Sequence, residues 1–374
     1  MLQRYYDDFN RFYKKNKVLV IYGARRVGKT TLTKGWLANI SLKYLYVTGD
    51  SLQIRNLLSS GDIEQIKEFV DGYQMIVIDE AQQIRNIGMG LKIMNDYIPE
   101  LKIIATRSSS FELSRQIGDP LTGRKRVLAL YPMAQCELAF SLNKYELKNN
   151  LEKYLIFGSY PEVITSETVK DKLEVIDDIV QSYLLRDILS LEKIRNPKVL
   201  FNLLKLLAFQ IGSPVSVSEL AKQLGINVKT VSRYLDLLEK SFIIFPLSSY
   251  SGNLRKEISK KSKYYFVDNG VRNGVIMQFN TIKNRNDIGQ LWENFIISER
   301  IKKLSYERTF YNRYFWRNYN QQEIDLLEEY NGVLNTYEIK WGKAKTSLPG
   351  DFERKYGKCN YTVINRDNYP EFIL

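Results

Sequence analysis

The residues best placed to do chemistry lie near the N-terminus. Gly23-Ala24-Arg25-Arg26-Val27-Gly28-Lys29-Thr30 fits G-x-x-x-x-G-K-[ST], follows the apolar run Val18–Tyr22 and opens a helix-compatible stretch. Glycines let backbone N–H groups turn inward, and a helix start adds positive dipole, so this run suits a chain of phosphates. Gly23, Arg26, Val27, Gly28, Lys29, Thr30 and Thr31 form the expected nucleotide-binding set. Lys29 would reach the β and γ phosphates as a point charge, and the Thr30 hydroxyl would ligate Mg²⁺.

A second run, Met75-Ile76-Val77-Ile78-Asp79-Glu80, sets two acids after four apolar residues. Acids there stand at the C-terminal edge of a buried strand, where ligands bind in open α/β sheets. Asp79 is the expected partner of Thr30 at the Mg²⁺, and Glu80 the residue that orients the attacking water. The strand Leu101–Thr106 ends in Thr106, Arg107 and Ser108, and Thr106 and Ser108 are candidate sensors of the γ phosphate. Hydrolysis gains from a cation near the developing charge. Arg124 is the first candidate, in place or supplied to a neighbouring subunit, and Arg186 the second.

A separate set lies in the last third. Glu293 falls in an amphipathic stretch from 288 to 304, Asp325 in Glu323–Leu327, and Glu338 and Lys340 two apart in Val333–Lys340. Asn331-Gly332 is a hairpin signal between the last two runs. The set resembles the core of PD-(D/E)xK nucleases, in which such carboxylates hold Mg²⁺ beside a lysine. A degenerate domain that binds without cutting has the same pattern.

Between these regions Ser216-Val217-Ser218-Glu219 reads as a helix start, Gly225 as a stop and Asn227 as the next cap. The following helix should bury Val228, Val231, Leu235 and Leu238 and offer Lys229, Thr230, Ser232 and Arg233. Lys229, Thr230 and Arg233 are candidate DNA contacts on this recognition helix. Phe242–Leu247 and a strand near Tyr264–Val267 would form a wing. The basic run Arg255, Lys256, Lys260, Lys261 and Lys263 reads as phosphate-contacting or solvated, and a winged helix can equally pack between domains.

The elements that must position these residues follow from the hydrophobic pattern. Short apolar runs at 18–22, 44–47, 75–78, 103–105 and 127–130 suit buried parallel strands alternating with helices. From 135 to 210 the pattern is mostly helical, and from 288 it is mixed. The 374 residues carry a net charge of +13, spread along the chain with a tilt to its C-terminal part, which favours a polyanionic partner such as DNA. Histidine is absent, which excludes Ser-His-Asp triads, Cys-His pairs and imidazole-ligated zinc. Two distant cysteines, no apolar span and no leader-like N-terminus lead to the expectation of a cytoplasmic protein without membrane segments.

GARRVGKTTL, IVIDEAQ, LKIIATRSSSFEL, LTGRK and GSYPEV together resemble a bacterial and archaeal family of AAA-type ATPases with a C-terminal domain of unknown function. The resemblance implies a five-stranded sheet in the order 5-1-4-3-2, ATP rather than GTP, and a capacity for ring or other homo-oligomer formation. Arg107 stands where that family usually has glycine, which bears on turnover more than on nucleotide binding. The expected fold is therefore α/β. A P-loop NTPase domain with a helical extension spans 1–200, a winged helix-turn-helix 201–270 and a restriction-endonuclease-like α/β domain 271–374. Two functions remain open. One is an ATPase acting on DNA, with metal-dependent cleavage by the C-terminal domain. The other is a nucleotide-switched regulator that binds DNA or protein through an inactive nuclease-like domain.

Overall fold

The computed structural model describes residues 2–108, 121–181, 196–252 and 261–374. Contacts divide it into two units, Gln3–Tyr131 with Lys240–Phe242, and Pro132–Glu239 with Ile243–Leu374. The boundary at 131/132 assigns the helices after residue 135 to the second unit, whereas the sequence reading attached them to the first.

In the first unit β1 (Val18–Gly23), β2 (Tyr44–Thr48), β3 (Met75–Asp79), β4 (Lys102–Arg107) and β5 (Lys125–Leu130) form one sheet in the order 2-3-4-1-5. Read from the other edge this is the expected 5-1-4-3-2. All neighbours are parallel, with Leu19 beside Ile104 and Val20 beside both Ala105 and Val127. Helices α1 (Lys29–Leu37), α2 (Leu52–Ser59), α3 (Ile63–Val70) and α4 (Ile87–Tyr97) connect the strands. Ser51 and Asp62 cap α2 and α3 through their side chains. Ile76, Ile78, Ile103 and Ala105 join Leu58, Ile66, Leu91 and Met94 in the core. At about 1.5–3 kcal/mol for each buried large aliphatic side chain, this burial outweighs strand propensity in fixing the sheet.

The second unit holds one seven-stranded sheet, in the order β12-β11-β10-β9-β7-β8-β6. Its strands are β6 (Pro214–Val215), β7 (Ile244–Ser249), β8 (Ser262–Phe266), β9 (Asn312–Arg317), β10 (Glu323–Tyr330), β11 (Val333–Ile339) and β12 (Asn360–Ile364). The hairpin β7–β8 and the C-terminal strands are continuous, because β7 pairs in parallel with β9 at Ser248–Tyr314 and Ser249–Phe315. Asn331 and Gly332 both take positive φ, 50° and 78°, the turn that their dipeptide predicts between β10 and β11. Helices Val217–Leu224 and Val228–Lys240 precede the hairpin. Ser216 Oγ accepts from Glu219 N, and Asn227 Oδ1 accepts from Thr230 N at 2.8 Å, so both expected caps form. Gly225 closes the first helix at φ 65°. The second helix buries Val231, Tyr234, Leu235, Leu237 and Leu238, but Val228 is 46% exposed. Val228 lies in the first turn, before the apolar stripe reaches the core.

Candidate nucleotide site and the C-terminal carboxylates

The loop from β1 to α1 is shaped by tight backbone packing. A Cβ on Gly23 would lie 1.9 Å from the Leu130 carbonyl oxygen, and Gly28 takes φ 90° at the helix start. Arg26 also has positive φ, while Val27 is buried. Lys29 is buried, and its Nζ donates to the carbonyls of Gly23 and Ala24 at 3.1 and 2.8 Å, which seats the ammonium within the loop. Arg4, which the sequence reading missed, donates to Val27 O at 3.2 Å and to Tyr131 O at 2.7 Å and so braces the loop from behind.

The acids meet the loop as expected. Thr30 Oγ1 donates to Asp79 Oδ2 at 2.8 Å, so α1 and the end of β3 share one polar corner. Tyr46 of β2 donates to the same oxygen at 2.7 Å; burial first, and then this bond, push its phenol above the ordinary value. Thr106 donates to Asp79 Oδ1 and accepts from Glu80 N at 3.1 Å, linking the two acids through one buried hydroxyl. Ser108 Oγ donates to Glu80 Oε1 and Oε2 at 3.2 and 3.1 Å, and Gln82 also donates to Glu80. Glu80 itself has φ 50°, a left-handed turn that ends β3. Lys29, Thr30, Asp79, Glu80, Thr106 and Ser108 are thus gathered at one sheet edge. Tyr46 and Gln82 were not foreseen. The alternation Tyr44-Leu45-Tyr46 on β2 was the signal available for Tyr46.

A hydroxyl and a carboxylate 2.8 Å apart at a helix N-terminus are hard oxygen donors, and they fit a magnesium ion. Arg107 is buried on β4 beside Tyr22. Arg124 lies elsewhere. Its carbonyl accepts from Val18 N, and Lys125 pairs with Val18, at the edge of the sheet opposite Gly23. Five residue steps of strand, roughly 16 Å, separate the two edges. Arg124 instead pairs with Asp96 at 2.7 Å, and this bond holds the Asp96 carboxyl below its usual value. The expectation that Arg124 serves the phosphates of its own chain is therefore corrected. Arg186, Ser109, Ser110, Arg255, Lys256 and Lys260 lie outside the described residues.

Residues 15–139 match the family model of an AAA domain, residues 148–282 a domain of unknown function (DUF8612) and residues 288–367 another (DUF4143). The chain thus joins an AAA domain to C-terminal domains of unknown function. An uncharacterized protein of Haemophilus influenzae is 24% identical over 80% of this AAA-type chain and 78% of its own. An uncharacterized protein of Methanocaldococcus jannaschii is 25% identical over 87% and 78%, respectively. Among solved structures, a signal transduction ATPase with a tetratricopeptide repeat sensor from Pyrococcus horikoshii aligns with TM-score 0.30 at 16% identity. That alignment covers 79% of this chain and 44% of that one. The Holliday junction branch migration motor RuvB of Thermotoga maritima aligns with TM-score 0.29 at 17% identity, covering 61% and 81%. No helix among the described residues is long and apolar enough to cross a membrane.

In the second unit of this AAA-type chain the C-terminal acids do converge. Asp325 and Glu338 stand one residue beyond the Leu326–Tyr337 pair of β10 and β11. A bulge between Ile324 and Leu327 leaves five consecutive residues of β10 buried, from Ile324 to Glu328, and re-aims this stretch. Asp325 accepts from Ile339 N at 2.8 Å, and Lys340 lies 2.5 Å from Glu338 and 4.0 Å from Asp325. Burial first, then Glu293, push Asp325 up to about 7. Burial and then Asp325 raise Glu338.

Glu293, on the helix Ile288–Glu307, is engaged from β8. Lys263 Nζ lies 3.1 Å from its Oε1 and Tyr265 OH donates to the same oxygen at 2.5 Å. Lys263 also pairs with Glu323 and is fully buried, so its expected place in a solvated basic run is corrected. Lys263 and Tyr265 share a face of β8 by strand alternation, a signal present in Ser262–Phe266. Among the described residues no group of three acidic, cysteine or histidine side chains is arranged to hold a metal ion. Two ammonium groups, the Tyr265 hydroxyl and a backbone N–H are the partners of these acids. The donor set therefore does not fit a divalent cation, and no cleavage step is assigned to it. Lys229 and Arg233 are exposed on the helix Val228–Lys240, while the Thr230 hydroxyl donates back to Asn227.

Proposed function

We propose that the protein binds ATP with magnesium at the β1–α1 loop and hydrolyses it, and that this turnover governs DNA binding by the second unit. The observation that carries the reading is the Thr30–Asp79 bond at the start of α1, with Glu80 held beside it by Ser108. In this reading the amides of residues 23–31 cradle the phosphates, and Lys29 leaves its carbonyl partners for the β and γ oxygens. Thr30 and Asp79 would hold the magnesium ion, which when bound neutralises charge on those oxygens. Glu80, fixed by Ser108 and Gln82, orients a water in line with the γ phosphate. Thr106 joins Asp79 to Glu80, so a shift at either acid is felt by the other.

Helices Val217–Leu224 and Val228–Lys240 with the β7–β8 hairpin have the element order of a winged helix-turn-helix. Lys229 and Arg233 are the side chains it would present to DNA, with Thr230 fixed in the cap. Lys263 among the C-terminal carboxylates favours the regulator reading, in which the nuclease-like part binds rather than cuts. Assembly of several copies would give Arg124 a role at a neighbour's phosphates, and a cytoplasmic setting agrees with the two free thiols.

The test is phosphate release from ATP, with and without DNA, beside binding of a non-hydrolysable analogue. Lys29→Ala should slow release by about 10³-fold. Normal turnover in that variant would defeat the assignment.

A further inference from the structure

We infer that the Lys263 ammonium is a permanent internal cation of the C-terminal carboxylate cluster, occupying the place among Glu293, Glu323 and Asp325 that a divalent ion would need. Lys263 is fully buried on β8 and reaches two acids from different elements, Glu293 on the helix Ile288–Glu307 and Glu323 at the start of β10. Its charge also faces the ring of Phe315 at 5.3 Å. An ammonium has three donors and no acceptor, so each contact is of the kind that an oxygen-ligated cation would make. Burial by itself would pull Lys263 down; Glu293, Glu323 and Asp325 together hold it above the ordinary lysine value, so it stays charged.

Further donors reach the same acids. Tyr265 caps Glu293, Ile339 N caps Asp325, Arg317 lies 3.4 Å from Glu323, and Lys340 covers Glu338 on one oxygen. A magnesium ion demands near-octahedral oxygen coordination and retains waters. It would enter against two lysine charges. Glu338 Oε2 is buried with no hydrogen-bond partner among the described residues. Removal of the Lys263 charge should therefore turn the cluster from a metal-excluding site into a metal-binding one.

The inference deepens the reading of the C-terminal part as non-cleaving, but its test reads metal binding, not cleavage. Full-length, nucleotide-free protein carrying Asp79→Asn, which silences the phosphate site, is titrated with Mn²⁺ and free ion is followed by electron paramagnetic resonance. The expected result is no stoichiometric site with Lys263 in place. One sub-millimolar site per chain should appear on adding Lys263→Met and vanish again on adding Asp325→Asn. If Lys263→Met does not fold, Lys263→Met with Glu323→Gln removes one charge of each sign and takes its place, with the same gain expected. A site that is present with Lys263 intact and lost in Asp325→Asn overturns the inference, even if the protein never cuts DNA. A folded variant without Lys263 that gains no site overturns it too.

Discussion

At the end of β3, Asp79 is held by three hydroxyls, from Thr30, Tyr46 and Thr106, which orient the carboxylate and bring no countercharge. At the start of β10, Asp325 is covered by a backbone N–H, faces Lys340 and Lys263, and titrates near neutrality. Both are buried aspartates in strands, 6% exposed in each case, so burial does not distinguish them. Their partners do. Neutral donors preserve an anionic site for an incoming cation, whereas built-in cations complete it within the protein. An acid that resembles a metal ligand in sequence is one only if its structural partners leave its charge unspent.

The largest effects should appear at the phosphate loop. Lys29→Ala should slow ATP hydrolysis by about 10³-fold, and Glu80→Gln by about 10²–10³-fold with nucleotide still bound, measured as phosphate release and analogue affinity. Loss of binding in Glu80→Gln would break the division of roles between the two acids.

Folding should respond in the opposite sense. Lys263→Met strands two carboxylates and should cost about 3–5 kcal/mol in urea unfolding, while Asp79→Asn should change stability by no more than about 1 kcal/mol. Equal costs would erase the contrast.

The pH dependence sharpens it further. Asp325 has a folded value near 7, above its unfolded one, so the native state binds the extra proton between roughly pH 4 and pH 7. Its contribution to stability is therefore present at low pH and lost as pH rises through 7. Glu293, Glu323, Glu338, Lys263 and Lys340 surround it, and Glu338 is raised with it. Asp325→Asn should remove on the order of 2 kcal/mol of this slope, read from unfolding midpoints at pH 5 and pH 8.

The smallest effects belong to the exposed helix. Lys229→Ala and Arg233→Ala should each reduce the salt dependence of DNA binding by about one unit of slope, measured by anisotropy at several salt concentrations.

The first unit was almost wholly legible. Strands β1 and β3 are buried almost throughout, the phosphate loop is a contiguous motif, and Asp79 and Glu80 follow directly from the strand that carries them; β2, expected as a buried strand, has no fully buried residue. What escaped was non-local. Arg124 lies near the phosphate-loop strand in the sheet but at its other end, and only the register of β5 on β1 shows this. Lys263 belongs by composition to a basic run, and only its pairing with Glu293 and Glu323 marks it as core. The bulge at Asp325 has no glycine or proline to announce it, since it arises from the pairing of β10 with β9. Side chains whose role depends on residues 30 or 60 positions away carry no periodic or motif signal.

The parallel joint between β7 and β9 has a practical consequence for dissection of the protein. A fragment cut to residues 288–374 would lose the neighbour that satisfies the outer edge of β9, including the carbonyl of Phe315, which accepts from Tyr250 N at 2.7 Å. Such a bare edge is an invitation to intermolecular strand addition, and poor solubility of that piece would report the missing hairpin rather than an intrinsic defect of the region. Fragments intended to fold should begin at or before Pro132, where the second contact unit starts.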